Sequence, residues 1–189
     1  MCNRLLAWCL ILPLGFMNVA FADSYRSTVD LFKQAQQSSR FFHNSYGYAV
    51  FPTIGKAGIG LGGAYGKGRV YARGQEIGTV SMSQLSLGLQ WGGQSYSQII
   101  FFENKHALEQ FTSGNFEFGA NVGAIAITAA ASASGGTTGV SAAASGGKKD
   151  ALTAGEYYDG MVIFTIAKGG LMYEATLSGQ KFSYTASTH

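Results

Sequence analysis

Residues 56–68 read KAGIGLGGAYGKG, and Gly58, Gly60 and Gly63 within them match the G-x-G-x-x-G spacing of dinucleotide-binding folds. Lys67 follows Gly66 as a lysine follows glycine in a phosphate-cradling loop. That chemistry needs a helix N-terminus directly after the glycines, because its free N–H groups and dipole hold the phosphates. Here the chain continues AYGKGRVYARG, with three more glycines and alternating Val and Tyr, which does not favour a helix. Leu61 stands where the first glycine of a phosphate loop belongs, and Gly68 where Ser or Thr would meet magnesium. No nucleotide is therefore expected. Period 2 instead puts Gly58, Gly60 and Gly62 on one face of a strand. Bare backbone in a strand serves a bend, a barrel corner or a closely packed ring. Tyr46, Tyr48, Tyr65, Tyr71, Trp91 and Tyr96 are the candidate rings, and the doublets Gly62-Gly63 and Gly92-Gly93 are expected to mark bulges or bends. The glycines would then shape a groove lined by apolar and aromatic groups.

Other reactive groups are few. GQSYS at residues 93–97 lacks the closing glycine of a nucleophile elbow. Of His43, His106 and His189, only His43, in RFFHNSYG, has a suggestive neighbourhood, and an enzyme acting on lipid would rest on it and Ser45 alone. Three scattered histidines do not suit zinc, and the acidic residues contain no calcium loop. Glu103, Glu109 and Glu117 have no spacing that selects a reaction. The reading is non-enzymatic, with no catalytic residue, metal site or cofactor.

The elements that position these residues begin with an N-terminal leader. Arg4 precedes an apolar run from Leu5 to Phe16, and Ala20-Phe21-Ala22 offers small residues for a signal peptidase. Residues 1–22 are expected to be a signal peptide cut after Ala22; the run is interrupted by Pro13 and is short of the roughly 20 residues of a spanning helix. Cleavage removes Cys2 and Cys9, leaving no thiol for a disulfide, a nucleophile or a metal. The expected location is the periplasm or cell envelope. Residues 23–189 would form one domain. Its charge is polarised: residues 23–74 hold seven basic and two acidic residues, a net +5, whereas residues 75–189 hold five and eight, a net −3. A positive patch on an exported protein favours phospholipid head groups over nucleic acid.

Ser24 to Ser39 is expected to be an amphipathic helix, with Tyr25, Val29, Phe32 and Ala35 on one face and Ser27 with Asp30 near a cap. From Ser45 the segments YGYAVF, AGIGLGGAYG, GRVYARG, EIGTVS, QLSLGLQWG and YSQIIFF read as short strands separated by glycine-rich turns. Asn104 caps a second short helix, KHALEQF, with Ala107, Leu108 and Phe111 on its apolar side. Residues 128–148 are nearly all Ala, Ser, Gly and Thr and read as a hairpin or loop; two hairpins close the chain. The fold class is mainly β (α+β), an antiparallel sheet or small barrel-like domain.

RFFHNSYGYAVFPTIGKAGIGLGGAYGKGRVY, then GLQWGGQSYSQIIFF with ALEQF, and finally VIFTIAKGGLMYEATLSGQKFSY together resemble the SYLF lipid-binding domain family, in order, over about residues 25–185. The resemblance implies a mostly β domain with peripheral helices that binds acidic phospholipids. Phosphoinositide and actin binding belong to eukaryotic members; the weakly basic helix here suits general anionic phospholipid better, and an exported protein does not meet actin. Arg26, Lys33, Arg40, Lys56, Lys67 and Arg69 are the expected phosphate contacts, and Phe32, Phe41 and Phe42 the expected inserting groups. The expected partner is an anionic membrane surface bound peripherally. A small structural outer-membrane β-barrel is the alternative.

Overall fold

The computed structural model describes residues 17–88, 94–118, 125–127, 140–142, 156–168 and 179–188. Its elements in chain order are α1 (Met17–Gln34), α2 (Gln36–Ser39), α3 (Phe41–Asn44), β1 (Gly47–Ala72), β2 (Gln75–Gly88), β3 (Gln94–Phe102), α4 (Lys105–Phe111), β4 (Asn115–Glu117), β5 (Ile125–Ile127), β6 (Val140–Ala142), β7 (Met161–Lys168) and β8 (Gln180–Ala186). The strands form one sheet in the order β4-β8-β2-β1-β3-β7-β5-β6. Neighbours are antiparallel except β5 and β7. This is the mainly β fold expected, with peripheral helices.

β1 decides the shape. The sequence suggests several strands and turns between Gly47 and Ala72, yet the structure has one continuous strand there. Its first limb pairs with β3 and its second with β2. The two limbs also touch. Gly68 lies against Phe51, Gly66 against Ile54, and Gly47 against the Tyr71 carbonyl. The midpoints of these pairs fall at residues 59–60, so β1 folds back within the glycine-rich stretch whose spacing matches G-x-G-x-x-G. No helix follows those glycines; the strand runs on to a tight turn at Arg73 and Gly74, both with positive φ, which leads into β2.

The close approaches fall at Gly66 and Gly68, farther along the strand than the Gly58, Gly60 and Gly62 row read from period 2, and the partners differ from the candidate rings. A Cβ on Gly68 would sit 2.7 Å from Phe51 ring carbons, and one on Gly66 would sit 2.6 Å from Ile54 Cγ1. The neighbours are Phe51 and Ile54 rather than the tyrosines. The bulges also fall elsewhere, between Phe51 and Ile54 and between Val70 and Tyr71, while Gly62 and Gly63 keep regular register. Trp91 and Gly92-Gly93 lie outside the described residues.

Folding back β1 curls the sheet around an inner core. Phe51, Met82, Phe102, Phe111 and Phe182 are fully buried in it. Phe182 of β8 faces Phe51 of β1 at 5.7 Å and Phe111 of α4 at 5.0 Å. A buried polar pair crosses this space: Gln98 Nε2 of β3 donates to Gln180 Oε1 of β8 at 3.0 Å. Asn104 caps α4 as its sequence indicates, its side chain accepting from the Ala107 N–H at 3.0 Å. A second core lies on the other face of β3 and β7, where Val29, Phe32, Ala35 and Phe41 pack on Ile99, Phe101 and Phe164.

An outer-membrane barrel is not what the described strands form. Their order is open, ending at β4 and β6. Both faces of β3 and β7 are covered by side chains of the same chain, so neither is free to meet lipid. No helix among the described residues is long and apolar enough to cross a membrane.

The N-terminal helix also departs from expectation. It starts at or before Met17 and stops at Gln34, so Ser27 is interior, its hydroxyl bonding the Ser24 carbonyl at 3.1 Å rather than capping. Ala35 is extended (ψ 116°), which breaks the helix. The buried Ser38 hydroxyl donates to the Phe32 carbonyl at 2.6 Å, satisfying an acceptor the broken helix leaves open. Residues 1–16 of the expected signal peptide, and most of the Ala/Ser/Gly segment 128–148, lie outside the described residues; β6 within that segment pairs with β5.

Gly68→Ala is expected to cost about 1–3 kcal/mol by overpacking. Gly55→Ala, where a side chain meets nothing within 4 Å, should shift stability by no more than about 0.5 kcal/mol. Urea unfolding midpoints of the two variants check this, and equal midpoints would refute the close approach of the limbs.

Candidate functional site

A cleft of about 340 Å³ opens where the middle of α1 meets the folded-back strand. Ser24 and Tyr25 line it from α1. Pro52, Thr53 and Gly55 contribute from the first limb of β1, and Tyr65, Gly66 and Lys67 from the second. The geometry follows from the glycines. Gly66 lets the limbs touch beneath the cleft, and Gly55 leaves open space where any other residue would project a side chain. Tyr65 is 54% exposed, an unusual state for a large ring in a strand whose alternate residues are buried.

Cations gather at the rim. Lys67 is exposed on the second limb. Lys168, at the end of β7, shares a row with Ser95 of β3 and Gly55 of β1. Its side chain reaches the first limb, where Nζ donates to Thr53 Oγ1 at 2.9 Å. Burial pushes the Lys168 pKa below the ordinary lysine value. Among the described residues neither Lys67 nor Lys168 has a carboxylate partner.

Arg69 is held differently. Its guanidinium lies 4.4 Å from the Tyr25 ring centroid, and Nη1 meets Glu76 Oε2 at 2.9 Å. Burial acts against its charge, but Tyr71 and Glu76 outweigh that and hold its pKa up. Arg69 therefore fastens α1 to β1 while its charge is already balanced. Burial also raises the pKa of Tyr25, with Arg69 pulling the other way. Beyond Arg69 the rings continue: Tyr71 stacks on Tyr48 at 5.0 Å, and Tyr48 meets Phe42 at 5.5 Å.

The structure divides the residues expected from sequence into two groups. Lys67 lines the cleft, Arg69 contacts Tyr25 at its edge, and the half-buried Lys56 follows Gly55. Arg26 is exposed beside Tyr25 on α1. Lys33 and Arg40 lie farther along the helices, Lys33 pairing with Asp30 at 3.8 Å and Arg40 lying 4.9 Å from the Phe41 ring centroid. Phe32 and Phe41 are buried in the helix–sheet core and Phe42 is half-buried, so in this conformation they hold the helices on the sheet. Tyr25, Thr53, Tyr65 and Lys168 were not among the expected contacts. Only Tyr65 carried a local signal, as an aromatic on the face opposite Gly66 and Gly68. Lys168 reaches the cleft through two strand pairings that no local pattern shows. His43 and His106 are exposed, and Ser95 lies within strand β3.

Residues 83–188 match the model of the family described as "Las17-binding protein actin regulator", and the chain belongs to that family, the SYLF domains. It is also similar to "Beta cell expansion factor A" of Aeromonas veronii, 28% identical over 155 residues, which cover 82% of this chain and 51% of that protein. The chain thus spans about half the length of that curated relative. The family match begins in β2, so of the cleft and its rim only Lys168 and Ser95 fall inside it.

Two measurements test this geometry. Arg69→Met and Tyr25→Leu should be coupled by about 0.5–2 kcal/mol in a double-mutant cycle, and additive effects would mean the cation–ring contact contributes nothing. Burial raises Tyr48 and Tyr157 to about 12 from 10.0. A raised tyrosine favours the neutral phenol in the fold, so its stabilisation is complete below about pH 10 and is lost as pH rises through about 12. The part of the phenolate absorbance that a Tyr48→Phe, Tyr157→Phe double variant lacks should therefore appear together with loss of the β-sheet circular dichroism signal in that window; its appearance at pH 10 with the sheet intact would contradict the burial.

Proposed function

We propose that this domain is a non-enzymatic, exported lipid-binding module that attaches peripherally to membranes containing anionic phospholipid. The carrying observation is the pair Lys67 and Lys168, charged groups without carboxylate partners among the described residues, beside an open, ring-lined cleft. An ammonium with no carboxylate partner gains most from an external anion, and each basic residue near an anionic surface contributes about 1 kcal/mol. Arg26 adds exposed charge beside Tyr25 in the middle of α1. Tyr65 supplies an exposed ring suited to the boundary between head groups and acyl chains.

Family membership supports a binding role and does not point to a reaction. Actin regulation is not carried over, because cleavage after Ala22 and export would separate the protein from actin. That cleavage would leave Asp23–Gln34 of α1 in place, retaining Tyr25 at the cleft and Phe32 in the core.

Co-sedimentation of the purified protein with liposomes tests the reading. Binding should require anionic lipid, weaken as salt rises past about 0.1 M, and fall when Lys67 and Lys168 are both changed to Glu. Equal binding to neutral and anionic vesicles, or none to either, would sink it. N-terminal sequencing of protein from cell envelopes should begin at Asp23; an intact Met1 would remove the export component.

A further inference from the structure

We infer that the cleft between α1 and the fold-back of β1 is a discrete site for one phosphate ester, held between Lys67 and Lys168 with Thr53 as a hydroxyl donor. This deepens the membrane reading and rests on it for the expected source of the ester. A flat cationic surface would satisfy the Coulombic requirement alone. The structure has more than that.

Lys168 is carried across two strand pairings and ends on Thr53, a residue of the cleft wall. Thr53 Oγ1 accepts from Lys168, which leaves its own hydrogen to donate to a phosphate oxygen. Lys67 enters the same cleft from the opposite limb of β1. Lys67 in the lining, and Lys168 held on the wall residue Thr53, bring two cations and a hydroxyl to one cleft, a phosphate-binding arrangement that a scattered surface patch does not provide. Gly55 enlarges the space: a Cβ there would meet nothing within 4 Å, so the room beside Thr53 and Lys168 exists because position 55 has no side chain. Tyr25, Pro52 and Tyr65 form apolar wall next to these polar groups, which suits an ester with an apolar substituent more than bare phosphate. Glu76, which lies near Tyr25 through Arg69, is already paired with that guanidinium.

Titration calorimetry on the full chain with monomeric dihexanoyl phosphatidate and with glycerol 3-phosphate tests the site. One ligand should bind per chain. Lys67→Met and Lys168→Met should each weaken binding about tenfold, the loss of one charge-assisted contact. Gly55→Leu should fill the space and abolish binding while leaving the unfolding midpoint close to wild type, which separates occlusion from misfolding. Tighter binding of the acylated ester identifies a lipid source, and equal binding identifies a soluble ester; both support the phosphate site. Binding of neither ester, or binding unaffected by Gly55→Leu and Lys67→Met, overturns it. If the wild type then still sediments with anionic vesicles, the cleft inference fails alone; if it does not, the membrane reading fails as well.

Discussion

The approach of the two limbs of β1 constrains nearly everything else in this molecule. A strand of this length, fully extended, would span about 3.3 Å per residue, yet its two ends are in contact. That requires one stretch of the strand to present bare backbone to the other. Gly66 and Gly68 do so, and Ile54 and Phe51 fill the space that side chains would have taken. With the limbs together, β3 and β7 are carried to one side and β2 and β8 to the other. The inner core with Phe102, Phe111 and Phe182 is the space between them. The cleft lies at the fold-back end of the same arrangement.

Electrostatics at the surface sort by whether an internal partner exists. Lys33, Arg69, Lys105 and Lys181 each meet a carboxylate, at 3.8, 2.9, 2.9 and 3.4 Å. Such exposed pairs add little to stability but reduce the field each cation offers outside. Lys67 and Lys168 have no such partner among the described residues. Beside the cleft, Lys67 from the basic first part of the chain is joined by Lys168, a cation from the acidic second part.

The class of fold was legible from alternation. YSQIIFF, MVIFTIA and KFSYT became β3, β7 and β8, and the Asn104 cap and apolar face of α4 were visible because both are local signals. The strand β1 was not, because glycine normally marks turns, and only tertiary contact reveals that these glycines lie against Phe51 and Ile54. The helix end at Gln34 was hidden for a similar reason: Ala35 has no breaking tendency, and the break is stabilised by the buried Ser38 hydroxyl. In the site, Lys67 and Arg69 were readable as local charge. Lys168 was not, since its position depends on the registers β7–β3 and β3–β1 together.

The phenylalanines of the helices raise the remaining mechanical question, and magnitudes decide it. Phe32 and Phe41 are buried, and Phe41 meets Phe101, Tyr157 and Phe164 at 5.6, 5.3 and 5.3 Å. Exposing a buried phenylalanine costs about 1.5–3 kcal/mol, and each such ring contact adds about 0.5–1.5 kcal/mol. Peeling off α1–α3 would also expose Ile99, Phe101 and Phe164 beneath them, so the total approaches the roughly 5–15 kcal/mol that holds a domain folded. Inserting the rings into a bilayer returns their own burial but leaves the uncovered sheet face to be satisfied. Docking through Lys67, Lys168 and the already exposed Tyr65 requires none of this rearrangement. On the proposed membrane reading, the folded domain would therefore dock through the fold-back end of β1, with the helices remaining where the inner rings hold them.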